Sequence, residues 1–123
     1  MNVTVVAVGK LKERFWAEAC AEYLKRLGPY ARVSVAEVAD VDPARAGGEG
    51  AARAAEGRLV LSRLPERAHV IALAIDGKAR TSEDLSARLD ALALDGASDV
   101  AFVIGGSTGI DEAVLARADE TLS

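Results

Sequence analysis

Two strand-like segments end in residues suited to holding a ligand, Leu73-Ala-Ile-Asp-Gly-Lys78 and Val103-Ile-Gly-Gly-Ser-Thr-Gly109. Ligands of open α/β sheets settle where the carboxyl ends of strands meet the loops that follow. The successive glycines Gly105 and Gly106 let a ligand approach the backbone without meeting a Cβ. Glycine-rich turns also serve merely to join a strand to a helix, so the pair alone leaves both readings open. Charge narrows the choice of ligand. A phosphate cradle takes helix-start amides with neutral or positive neighbours, often a Lys, as in Gly-x-x-x-x-Gly-Lys-Ser/Thr. Here Asp111 and Glu112 follow the turn and no cation comes before Arg117. A nucleoside without phosphates is favoured, and a cationic sulfonium cofactor meets that requirement.

Other chemistries find little support. The single histidine, His69, begins a strand and so lies away from the carboxyl ends, which leaves a Ser–His–acid triad without its base; a structural role is expected for it. One histidine and one cysteine, with no close spacing, leave no zinc ligand set. Cys20 has no partner for an internal disulfide and shares helical spacing with Trp16, Tyr23 and Leu24, as a core thiol does. The paired carboxylates Glu83/Asp84 and Asp111/Glu112 sit where helix starts are expected, where they complement the helix dipole.

The elements that position these segments alternate. Val3 to Val8 reads as a buried strand ended by Gly9. Apolar residues at three- and four-residue steps predict a helix from about Glu13 to Leu27, broken by Gly28-Pro29. Val33 to Val38 is short and partly polar, which suits a strand nearer an edge. Asp40 to Glu49 reads as a polar surface loop before a helix over about residues 50–64, burying Ala52, Ala55, Leu59, Val60 and Leu64. His69 to Ile75 is a continuous apolar run, the mark of a strand covered on both faces, with Asp76-Gly77 as its turn. Thr81-Ser-Glu-Asp84 offers a capping box for a helix carrying Leu85, Leu89 and Leu92. Asp99 to Ile104 is a fourth strand, and Thr108-Gly-Ile-Asp111 a second capping box before a helix with Ile110, Val114 and Ala118. Four βα units in succession predict an α/β fold, a mostly parallel sheet with helices on both faces.

The 123 residues suffice for one domain, and no linker long enough to divide them is visible, so residues 1–123 are expected to form a single unit. Apolar runs fall far short of the ~20 residues that span a bilayer. The start of the chain lacks the basic leader and long apolar centre of a secretory signal, so a cytoplasmic protein is expected. The net charge of −4 weighs against a partner as acidic as RNA, but residues 1–35 hold six basic and three acidic side chains and leave room for a local basic patch.

The segments Val6-Ala-Val-Gly-Lys-Leu-Lys12, Glu22-Tyr-Leu-Lys-Arg-Leu-Gly-Pro-Tyr30, Leu73-Ala-Ile-Asp-Gly-Lys78 and Phe102-Val-Ile-Gly-Gly-Ser-Thr-Gly-Ile110 together closely resemble, in order, the RlmH family of the SPOUT superfamily. That resemblance implies a knotted α/β fold, a homodimer, and S-adenosylmethionine-dependent methylation of N3 of a pseudouridine in large-subunit ribosomal RNA on the assembled ribosome. It further implies that Leu73 and Gly105 touch S-adenosylmethionine, and Gly106 is added as their neighbour in the turn. Family chains continue past the position of Ser123 with a further strand, a cofactor-contacting loop and a last helix with its tail. The chain is therefore expected to lack the knot-forming segment, and no catalytic base is assigned within it. The alternative reading is a non-catalytic module that dimerises or docks on the ribosome.

Overall fold

The computed structural model describes residues 1–9, 18, 21, 22, 25 and 31–123. Within them β1 (Asn2–Val8), β2 (Arg32–Val38), β3 (His69–Lys78), β4 (Asp99–Ile104) and β5 (Glu120–Leu122) pair in the order β2-β1-β4-β3-β5. Every pairing is parallel. The four expected strands are all present, β2 on one edge as its mixed polarity suggests. β5 occupies the other edge, where no strand was expected.

Among the residues described from 31 to 123, four helices join the strands: α1 (Pro43–Ala46), α2 (Glu49–Arg63), α3 (Ser82–Leu94) and α4 (Glu112–Arg117). Strand alternation divides the core between the two faces of the sheet. On one face Val6, Ala36, Val38, Val70, Ala101 and Val103 pack with Val60 of α2 and Val114 of α4. On the other, Ile71, Val100 and Leu122 pack with Leu92 of α3, joined by Leu73, Leu85, Leu89 and Phe102. An α/β architecture with helices on both faces is thus observed.

Several local expectations need correction. Asp76-Gly77 is not a turn: β3 runs on to Lys78, and Leu73 and Lys78 both pair with Leu122 across an irregular stretch of the ladder. The loop after β2 contains α1, started by Asp42, whose Oδ1 accepts from the Ala44 amide at 3.0 Å, and by proline at its first turn. In α2 the inward stripe is Ala52, Glu56, Gly57 and Val60, while Leu59 is exposed. The Thr81–Asp84 capping box is present, with the Asp84 amide donating to Thr81 Oγ1 at 3.0 Å and the Thr81 amide to Asp84 Oδ2 at 3.3 Å. The second box is not, since α4 starts one turn later with Asp111 as its cap. The helix expected over residues 13–27, its stripe of Trp16, Cys20, Tyr23, Leu24 and Leu27, and Lys10, Lys12, Arg14 and Arg26 lie outside the described residues, apart from Glu18, Ala21, Glu22 and Lys25, which are helical.

Candidate functional site

The carboxyl ends of β3 and β4 lie side by side. Leu73 pairs with Ile104, so Gly105 is the next residue along the neighbouring strand, and the fold brings these two candidate residues together. Leu73 is half-buried against the α3 side of the core, while Ile104 at the strand end is 42% exposed. Together they form an apolar shelf beside the glycine turn.

Gly106 follows, and a bridge between Gly106 and Gly109, with the Gly109 amide donating to the Gly106 carbonyl at 3.1 Å, closes the turn tightly. Gly109 alone of the three has a positive φ, +90°. Gly105 and Gly106 are glycine for a different reason: packing. A Cβ on Gly105 would stand 2.7 Å from Ile110 Cγ1 and 3.1 Å from the Gly109 backbone; on Gly106 it would stand 2.9 Å from Val8 Cγ1. The space a side chain would take is thus occupied by the protein itself on the α2 side. The cavity there, lined by Val8, Arg53, Glu56, Gly105 and Ile110 among others, holds about 10 Å³, room for a single water. A nucleoside can meet this turn only from the other side, across the Leu73–Ile104 shelf.

Two residues that the sequence reading passed over hold the turn in place. Arg53 Nη1 donates to the Thr108 carbonyl at 2.9 Å. Glu56, 4% exposed, accepts from the Val41 amide at 2.8 Å and from Thr108 Oγ1 at 3.5 Å. One face of α2 therefore ties the glycine turn to the loop after β2. A buried carboxylate usually earns its place by such hydrogen bonds. The signal was a Glu interrupting the apolar stripe between Ala52 and Val60. Asp111 accepts from the Ala113 amide at 3.2 Å, the helix-starting role expected of an acid there.

His69 sits at the far end of β3, as expected, but it is not without acid partners. Its Nε2 lies 2.5 Å from Glu120 Oε2 and its Nδ1 3.9 Å from Asp119 Oδ2. Arg80 and Arg88 reach the same Glu120 carboxylate at 3.2 and 2.9 Å. Burial raises the Glu120 pKa, but hydrogen bonds from His69 and Arg88 and the attraction of both outweigh it, holding the carboxyl below the usual carboxylate range. The cluster pins β5 to β3 and α3. Among the described residues no group of three His, Cys, Asp or Glu side chains is placed to hold a metal ion, and no helix is long and apolar enough to cross a membrane.

Comparison with known proteins decides among the families that use such strand ends. The family described as predicted SPOUT methyltransferases matches residues 1–123. The chain belongs to the SPOUT methyltransferase family. Among its relatives, ribosomal RNA large subunit methyltransferase H of Listeria monocytogenes serotype 4a (strain HCC23) is 49% identical over 126 residues, a match that covers all of this chain and 79% of the relative. The proteins of the same name from Bacillus pumilus and Bifidobacterium adolescentis are 46% and 44% identical over the same shares.

Proposed function

We propose that the protein methylates large-subunit ribosomal RNA at N3 of a pseudouridine on the assembled ribosome, with S-adenosylmethionine as donor. Relatives named as large-subunit ribosomal RNA methyltransferases, matched along the whole chain, support the substrate class. One observation carries the site: the register that sets Leu73 beside Ile104 and Gly105. In this reading Leu73 and Ile104 give the cofactor an apolar bed, and the Gly105–Gly106 backbone borders that bed on the side opposite Ile110 and Val8, which fill the space their Cβ atoms would take. The acids Asp111 and Glu112 beyond the turn suit a sulfonium better than a phosphate. The donor supplies an electrophilic methyl group. The protein's part is to align the acceptor nitrogen with it, and such positioning is worth roughly 7–11 kcal/mol of barrier. We further propose that residues 1–123 form one domain, that the protein works as a homodimer, and that it resides in the cytoplasm. No residue is assigned as the base that takes the N3 proton.

Calorimetric titration of the protein with S-adenosylmethionine tests the site. Leu73→Asp should weaken binding at least tenfold, which corresponds to about 1.4 kcal/mol. Affinity equal to the parent in a folded Leu73→Asp variant removes the β3 end from the site.

A further inference from the structure

Beyond the bulged end of β3 lies an open concavity of about 440 Å³, lined by Lys78, Ala79, Arg80, Asp84, Ala87 and Arg88. We propose that it binds backbone phosphates of the RNA substrate, an assignment that rests on the reading of the protein as an RNA methyltransferase.

Three observations support it. First, the charge is locally inverted. The chain carries −4 overall, yet the residues lining the concavity include three cations, Lys78, Arg80 and Arg88, against one acid, Asp84, with Glu120 behind the two arginines. Asp84 is occupied by the Thr81 amide in its capping box. Second, the guanidinium groups are held ready. Arg80 gives one donor to Glu120 Oε1, and Arg88 gives Nε to Oε2 with its Nη2 2.9 Å from the same oxygen, out of the five donors that each guanidinium carries. Glu120 thereby fixes both groups without consuming their capacity for an oxyanion, which lowers the entropy lost when one binds. Third, the position is right. Lys78 ends the same strand that carries Leu73, so a phosphate in the concavity lies on the flank of the proposed cofactor shelf. Being open rather than enclosed, with the exposed Lys78 at its rim, it suits a polyanion passing over the surface better than a small buried ion.

The test is the salt dependence of binding to purified ribosomes, with Lys78→Gln, Lys78→Arg and Ala87→Lys compared with the parent. Lys78 and Ala87 are exposed, so these changes leave the core intact. Each phosphate contact contributes about 0.7–0.9 to the slope of log affinity against log salt. Lys78→Gln should lower the slope by about that amount, so that its disadvantage at about 50 mM salt shrinks roughly threefold by about 200 mM. Lys78→Arg should keep the parent slope, and Ala87→Lys should steepen it. An unchanged slope in both Lys78→Gln and Ala87→Lys overturns the assignment. Loss of S-adenosylmethionine affinity in Lys78→Gln, with the slope intact, also overturns it, because the cation would then serve the cofactor's carboxylate. Weaker binding of inorganic phosphate by Lys78→Gln, with ribosome binding and its salt slope unchanged, counts against it equally. Failure of the parent protein to bind ribosomes at all would instead defeat the underlying reading of the substrate.

Discussion

Gly77 lies so close to Leu122 that a Cβ built on it would stand 2.7 Å from both the nitrogen and the carbonyl carbon of the Leu122 backbone. This contact explains why β3 can continue beyond Leu73 and pair twice with the same residue of β5. Backbone cannot yield as a flexible side chain can. Gly77→Ala should therefore cost about 1–3 kcal/mol by overpacking, read from denaturant unfolding, with β5 displaced from β3. Parent stability in Gly77→Ala would show that the two strands do not approach this closely.

The Glu120 cluster makes a prediction about acid. A carboxyl held below its ordinary range in the folded state binds protons less readily there than in the unfolded chain. Its stabilising contribution is present above the unfolded pKa and lost as pH falls through the folded value. Glu120→Gln should flatten the acid limb of the stability–pH curve and lower stability at neutral pH by about 1–2 kcal/mol. An acid limb as steep as the parent's would assign the slope to other carboxylates.

Much of the architecture was legible because it rests on residues close in sequence. The apolar run from His69 and the short apolar run that ends at Ile104 mark strands, and Thr81 with Asp84 marks a helix start. What escaped depends on contacts across the chain. Asp76-Gly77 has the composition of a turn, and only the Leu122 backbone makes it part of a strand. Glu120–Leu122 is too short and mixed for periodicity to reveal. The acid partner of His69 is Glu120, 51 positions away. Leu59 satisfies the helical spacing but is exposed because Glu56 and Gly57 take the inward positions. In the candidate site, Leu73 and Gly105 were read from motifs, whereas the roles of Arg53 and Glu56 required knowing that α2 passes beneath the glycine turn.

Glu56 supplies the next expectation. Its carboxylate satisfies the Val41 amide in a part-buried setting and touches Thr108. Glu56→Ala should cost about 1–3 kcal/mol, the range for leaving a buried donor without a partner. Glu56→Gln keeps an oxygen for Val41 and should lose clearly less. Equal losses in the two variants would mean that charge or packing, not this hydrogen bond, holds the loops together.

At Gly105 packing and ligand binding can be separated. Gly105→Ala drives a Cβ into Ile110, with an expected loss of about 1–3 kcal/mol. Adding Ile110→Ala removes the clashing atom, so the pair should be destabilised by less than the sum of the single changes. Because that Cβ lies on the α2 side of the turn, away from the Leu73–Ile104 shelf, the double variant should bind S-adenosylmethionine as tightly as Ile110→Ala alone. Additive stability losses would contradict the packing account, and an affinity well below that of Ile110→Ala would show that the cofactor meets Gly105 on the α2 side instead.

The central claim is tested most directly by transfer of labelled methyl from S-adenosylmethionine to ribosomes purified from cells that lack this modification, followed by mapping of the labelled base. The account predicts multiple turnovers, with the label on N3 of a pseudouridine in the large-subunit RNA and sharply reduced incorporation by Leu73→Asp. Binding to those ribosomes without any methyl transfer would contradict it and leave the protein as a non-catalytic ribosome-binding module.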